Sequence, residues 1–174
     1  MIFRISLLVT LGAIGLTWAS VTQSEFHALG QGTITASGTP GCQFTPAGCT
    51  VSSQGTIHGR LIGEADFASS LTVAWAAATP NGAGGYCAPA SGPVQVTADQ
   101  GVLTLQEQGT VCEVGATAAQ APHTFNATFY VLSGTGRFEN VQGTGTAVSS
   151  VNDQGKLLVY LNGTLSGLAS GDAH

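Results

Sequence analysis

The chain has 174 residues, of which 43% are hydrophobic and only 7% are charged. This length suits a single domain, and the composition excludes a disordered chain, which would be highly charged and poor in apolar residues. Four basic residues against nine acidic residues give a net charge of -5. So few basic residues exclude the positive surface that nucleic-acid binding requires.

Residues 1–19 have the pattern of a secretory signal peptide. Arg4 precedes an apolar run over 5–18, which is short for a membrane span, and Thr17 and Ala19 place small residues at the −3 and −1 positions of a cleavage site. The alternative is an uncleaved N-terminal anchor. The sequence predicts a secreted, periplasmic or cell-envelope protein, with no stable membrane insertion after the signal is removed.

The four cysteines predict disulfides, because an exported chain with an even number of cysteines usually pairs them. They are Cys42, Cys49, Cys87 and Cys112. Three pairings are available, of which we favour Cys42–Cys49, closing a short loop, and Cys87–Cys112, joining two strand regions. The rival is a metal site, but these spacings do not match the paired spacings of zinc sites. No cofactor motif is present.

The remaining chain divides into a lead-in segment over 20–49 with one short β-like piece over 32–36, a strand-rich domain over 50–167 and a polar tail over 168–174. Alternating apolar and polar residues, with period 2, predict strands. The predicted strands are 56–62, 67–75, 94–97, 102–105, 109–114, 123–132, 144–151 and 156–165. Turns are predicted at 63–66, 98–101 and 152–155, and longer loops at 78–92 and 115–122.

About eight short strands and no helix predict an all-β, antiparallel fold, either a barrel or a β-sandwich. The pattern of strands alone leaves both open. The strongest strand, 123–132, leads into a glycine-rich stretch, which is followed by another strand. Glycines there indicate backbone positions with positive φ or very close packing.

This stretch also carries a family resemblance. Gly134-Thr135-Gly136-Arg137-Phe138, followed by Gly143-Thr144-Gly145-Thr146, resembles the corresponding barrel segment of allene oxide cyclases and dirigent proteins, above all small secreted bacterial proteins of that type. The resemblance implies an eight-stranded antiparallel barrel with a central cavity. It also implies that the glycines make a bend and that Phe138 closes one end. Arg137 either guards the mouth of the cavity or makes a structural contact.

The best catalytic candidates are His58, Arg60 and Glu64, although the signal is weak. If their face of the strand lines a cavity, His58 can act as an acid or base while Arg60 holds an anionic group. The alternative is that this face meets solvent while Ile57 and Leu61 face the core. Three functions follow: a non-catalytic barrel binding a small hydrophobic ligand, an isomerase or cyclase, and a structural envelope protein. The sequence does not decide whether the protein is an enzyme.

Overall fold

Antiparallel strands make up nearly all of the computed structural model, which describes residues 22–37, 49–114 and 122–169. The strands in these ranges are β1 (Gln23–Ser37), β2 (Cys49–Gly59), β3 (Gly63–Val73), β4 (Thr79–Pro80), β5 (Tyr86–Ala98), β6 (Gly101–Glu113), β7 (His123–Gly134), β8 (Gln142–Val151) and β9 (Lys156–Ser166). They pair in the order β3-β2-β1-β9-β8-β7-β6-β5, and β5 pairs with β3. The sheet therefore closes into an eight-stranded barrel. The barrel prediction is confirmed, and the β-sandwich alternative is wrong.

The short strand β4 pairs with β5 and lies outside the ring. Within the ring, alternate side chains point into the barrel because the side-chain period of a strand is two. Along β5, for example, Val94 and Val96 are buried while Gln95 and Thr97 are exposed. The outward positions are dominated by threonine, serine, glutamine and asparagine. These uncharged polar side chains give the barrel a polar outer surface although the chain has few charged residues.

The predicted lead-in segment over 20–49 is wrong for its first half, because β1 is a full barrel strand between β2 and β9. Phe26 and Ala28 are buried, and Ile34 packs against the core. Glycines occupy two inward positions between them, so the hydrophobic alternation is weak in the sequence. The barrel thus begins at Gln23, well before residue 50.

Other strand and turn boundaries also differ from the predicted ones. The predicted strands 102–105 and 109–114 are one continuous strand, β6, and the predicted loop over 78–92 contains β4 and the first half of β5. The turn expected at 63–66 lies at 60–62. In each case the sequence contains glycine, proline or a polar inward residue where cross-strand pairing keeps the strand extended.

The C-terminal strands agree with the prediction most closely. The turn between β8 and β9 is held by Asn152, whose Oδ1 accepts hydrogen bonds from the backbone N–H groups of Gln154 (3.0 Å) and Lys156 (2.9 Å). Gly155 completes the turn with φ of 73°. An asparagine side chain that bonds the backbone and a glycine with positive φ are the signals that predicted this turn.

The disulfide Cys87–Cys112 is confirmed, joining β5 to β6 across directly paired positions. Cys49 is also disulfide-bonded, but Cys42 lies outside the described residues, so the Cys42–Cys49 pairing stays a prediction. The signal peptide over 1–19, most of the loop over 115–122 and most of the tail over 168–174 likewise lie outside them. Among the described residues, no helix has the length and apolar character needed to cross a membrane.

Candidate functional site

Two apolar clusters fill different levels of the barrel. The larger includes Phe26, Phe129, Leu103 and Leu165 at the end where Phe138 is completely buried, and it extends along β9 to Leu157 toward the other end. We call the Phe138 end the closed half. The smaller cluster lies toward the other end of the barrel, which we call the open half, and it consists of Val73, Ala88, Ala90, Val111 and Phe125.

Small and polar side chains separate these clusters on β2, β3, β5 and β6. We call this set the polar layer, and its residues are Ser53, Ser69, Gly92, Glu107 and Gly109. On β6 the order is clear: Leu105 belongs to the larger cluster, Val111 to the smaller, and Glu107 with Gly109 lies between them. The layer therefore leaves a polar level inside an otherwise apolar barrel.

Glu107 is the outstanding residue of this layer. It is 5% exposed, and no described residue donates a hydrogen bond to its carboxylate or forms an ion pair with it. An unpartnered buried carboxyl is unusual, because burying a charge without a partner costs several kcal/mol. Burial accordingly raises the pKa of Glu107 from 4.5 to about 7, so the acid and the carboxylate are both populated near neutral pH.

The inward positions nearest Glu107 on β5 and β6 are glycines that pack closely against the next strands: a Cβ added at Gly92 would collide with the carbonyl of Ser70, and one at Gly109 with the carbonyl of Asn126. Gly92 lies opposite it on β5, and Gly109 follows at the next inward position on β6, so neither position projects a side chain. On the other side its partner is Phe129 on β7. The Phe129 ring leans away from β6, because a Cβ added at Gly145 or Gly163 would meet the far edge of that ring at 2.6 and 3.0 Å.

Two serine hydroxyls complete the polar layer. Ser53 Oγ and Ser69 Oγ are 2.7 Å apart and hydrogen-bond across β2 and β3. One of the two hydroxyls donates to the other, so the pair retains at least one proton or lone pair for a further partner. Ser53 is buried and Ser69 is half-buried, so the layer reaches surface that solvent can touch.

The open half gives access to this layer. Several inward-facing residues beyond it are half-buried: their side chains keep some solvent-accessible surface, although the apolar ones also pack against one of the two clusters. They are Ile34, Val51, Leu71, Ala127, Ser149 and Val159. The closed half shows no such exposure at its central positions, such as Phe129 and Leu161.

The three catalytic candidates from the sequence lie outside the barrel. His58 and Glu64 are cross-strand partners on β2 and β3, and both are exposed, as is Arg60 in the following turn. The inward position beside His58 is occupied by Ile57, which is 2% exposed. The structure thus brings His58 and Glu64 together but places none of the three in the lumen.

The glycine motif lies at the closed end. A short 3₁₀ turn, Gly136–Phe138, drives the Phe138 ring into the core. Arg137 donates from Nη1 to Gln100 Oε1 at 2.7 Å and from its backbone N–H to the Gln100 carbonyl at 2.9 Å. A Cβ on Gly134 would collide with the backbone of Phe138, and one on Gly143 with that of Thr164.

The open rim carries the other inward-facing titratable groups. Glu113 and His123 are partners on β6 and β7, and Glu113 Oε2 accepts a hydrogen bond from the Tyr86 N–H at 3.0 Å. The His123 ring packs edge-on against Trp75, with centroids 6.2 Å apart. Within the described residues no three His, Cys, Asp or Glu side chains are grouped to hold a metal ion.

A groove of about 1000 Å³ crosses the outer face of the sheet over β9, β1, β2 and β3. Most of its side chains are outward-facing and polar, and it carries one charge of each sign, Asp66 and Lys156. Asp66 and Lys156 are both exposed, whereas the Glu107 carboxyl is buried. The polar layer is therefore the stronger candidate site.

Glu107 was missed by the sequence analysis, although the sequence contains a signal for it. Leu103, Leu105 and Val111 share an inward period, and Glu107 stands on the same period. The predicted strands 102–105 and 109–114 leave Glu107 between them. When β6 is treated as one strand, the same alternation places the Glu107 carboxyl at an inward position among core residues.

No protein-family model matches the chain, and a search of the curated proteins finds no match.

Proposed function

We propose that the protein is an exported, non-catalytic β-barrel that binds a small, largely apolar molecule in its lumen, with Glu107 as the polar anchor. The observation that carries the proposal is the unpartnered carboxyl of Glu107 in the polar layer. Apolar pockets with a few placed polar groups are the usual form of small-molecule sites. Eight-stranded barrels are wide enough to hold one small ligand.

Export is supported by the disulfide Cys87–Cys112, since disulfides persist in oxidising compartments. It is also supported by the signal pattern over residues 1–19. The intact mass of the exported protein tests this part of the proposal. We expect a mass that begins at Ser20, whereas a mass that retains residues 1–19 would contradict cleavage.

Ligand binding is tested with the neutral apolar probe N-phenyl-1-naphthylamine, whose fluorescence rises in dry surroundings. We expect saturable binding to the folded protein. Ser149→Phe should abolish it, because Ser149 points into the open half. The matched control is Ser150→Phe, at the next, outward-facing position. Equal binding by both variants, or no binding by the wild type, would contradict a ligand site in the lumen.

A second candidate function is acid–base catalysis by Glu107. The observation in its favour is the pKa of about 7, which suits a group that both takes and returns a proton at neutral pH. The simplest chemistry is a double-bond shift: the carboxylate removes a proton next to a carbonyl and the acid returns it two carbons away. Conversion of 3-cyclohexenone to its conjugated isomer, followed by ultraviolet absorbance, tests it. Activity that persists in Glu107→Gln would rule out this role.

A further inference from the structure

The lumen holds an uncompensated acidic group, and its surroundings indicate which ligand would complement it. The inward-facing positions of the described strands carry two carboxyl groups and one imidazole, which belong to Glu107, Glu113 and His123. Glu113 and His123 stand at the open rim, six residues and about 20 Å along β6 from Glu107. The strands beside Glu107, β5 and β7, face it with Gly92 and Phe129. Within the described strands, no lysine or arginine side chain therefore reaches the polar layer.

The three described basic residues all lie elsewhere. Arg60 and Lys156 are exposed on the outside, and Arg137 is engaged with Gln100 at the closed end. The chain as a whole is acidic, with a net charge of -5. Such a charge raises the local concentration of small cations.

We infer that the ligand of the lumen is a small apolar amine, whose ammonium group binds Glu107 while its hydrocarbon part packs in the open half. This inference rests on the proposed function. An ammonium supplies the counter-charge that the barrel lacks, and a charge-assisted hydrogen bond in a dry site is stronger than a neutral one.

The walls around this position suit such a ligand. Phe129, opposite Glu107 on β7, turns its ring away from β6, and Phe125 lies four residues from it toward the open half, where it adds apolar surface. The serine pair, Ser53 and Ser69, adds a hydroxyl that can accept from an ammonium N–H. Beyond the layer, Ile34, Leu71 and Val159 provide half-buried apolar surface for a hydrocarbon chain.

The experiment displaces the bound naphthylamine probe with n-alkylamines of about four to twelve carbons and with the matching alcohols and carboxylates. At about pH 8 we expect each amine to bind at least about tenfold more tightly than its alcohol. The carboxylates should bind most weakly. Below about pH 7 the amine affinity should fall by up to about tenfold per pH unit, because Glu107 must lose its proton before it can hold the ammonium.

Two variants complete the test. Glu107→Gln should remove the preference for amines and its pH dependence while alcohol binding changes less than about twofold. Glu64→Gln, an exposed carboxyl on β3, should leave both unchanged. Alcohols that bind as tightly as amines, or a preference for amines that survives in Glu107→Gln, would overturn the inference. Since the probe reports the lumen independently, probe binding without any amine preference refutes this inference alone, and absent probe binding refutes the proposed function.

Discussion

The two halves of the barrel are formed by the same strands with the same alternation, yet they are filled differently. In the closed half, aromatic side chains occupy the axis: the Phe26 and Phe129 rings meet edge to face at 6.0 Å, and Phe138 is completely buried. In the open half, Ile34, Ser149 and Val159 also point inward but are only half-buried. The period of a strand thus fixes the direction of its side chains, whereas their volumes decide whether a barrel has a core or a lumen.

The difference in packing between the two halves is tested most directly by truncating one side chain in each half. Phe138→Ala should destabilise the protein by about 3–5 kcal/mol, because it leaves a cavity in packed surroundings. Val159→Ala should cost only about 1 kcal/mol, because half-buried atoms lose less on truncation. Urea unfolding with the disulfides intact measures both. Equal losses would show that the open half is as tightly packed as the closed half.

The second test uses pH to detect the buried carboxyl of Glu107, which lies between the two halves. The raised pKa of Glu107 means that the folded protein keeps a proton that the unfolded chain loses between about pH 4.5 and 7. Stability should therefore fall as pH rises through this range and level off above it, by about 3 kcal/mol in total at ~1.4 kcal/mol per pH unit.

Glu107→Gln should remove this decline, so the variant should be more stable than the wild type at about pH 8 and similar to it at about pH 4. Glu64→Gln is the control, since Glu64 is exposed. Urea midpoints measured across the pH range decide the question. A wild-type decline that persists in Glu107→Gln would mean that another group causes it.

The smallest expected effect concerns the turn that closes the barrel. Gly136 has φ of 58°, and an added Cβ would collide with the carbonyl of Gln100. The conformation alone costs a β-branched residue about 1–2 kcal/mol, so Gly136→Val should lower Tm by several degrees. Arg137→Ala removes one hydrogen bond near the surface and should change Tm by less. The opposite order, measured in thermal melts, would show that the motif depends on the arginine.

The sequence predicted the parts of the fold whose signals are local. The strand 123–132 alternates bulky and polar residues, and Asn152 with Gly155 marks a turn by chemistry that does not depend on the rest of the chain. These elements were found. Of β1, the sequence predicted only a short piece over 32–36, because Gly30 and Gly32 stand at inward positions, where only contact with neighbouring strands reveals their direction.

The candidate site could not be predicted for a related reason. A carboxyl on a strand is normally exposed, and the burial of Glu107 follows from the closure of the ring by β3 and β5 rather than from its own neighbours in sequence. His58 and Arg60 were chosen because their chemistry is versatile, but alternation alone does not say which face of a strand points inward. The burial of Ile57 shows that its face of β2 points inward, so His58 points outward.

The ring also imposes an order of events on folding. Its earliest strand runs beside its last, so that Gln23 lies opposite Ser166. Contacts between residues so far apart in sequence form slowly. Here the barrel can close only after β9 has been synthesised and has paired with β1. The hairpin of β5 and β6, with Cys87–Cys112, is local and can form before then. A chain that stops before Lys156 should therefore keep this disulfide and lack the closed ring, which peptide mapping and near-ultraviolet circular dichroism can distinguish.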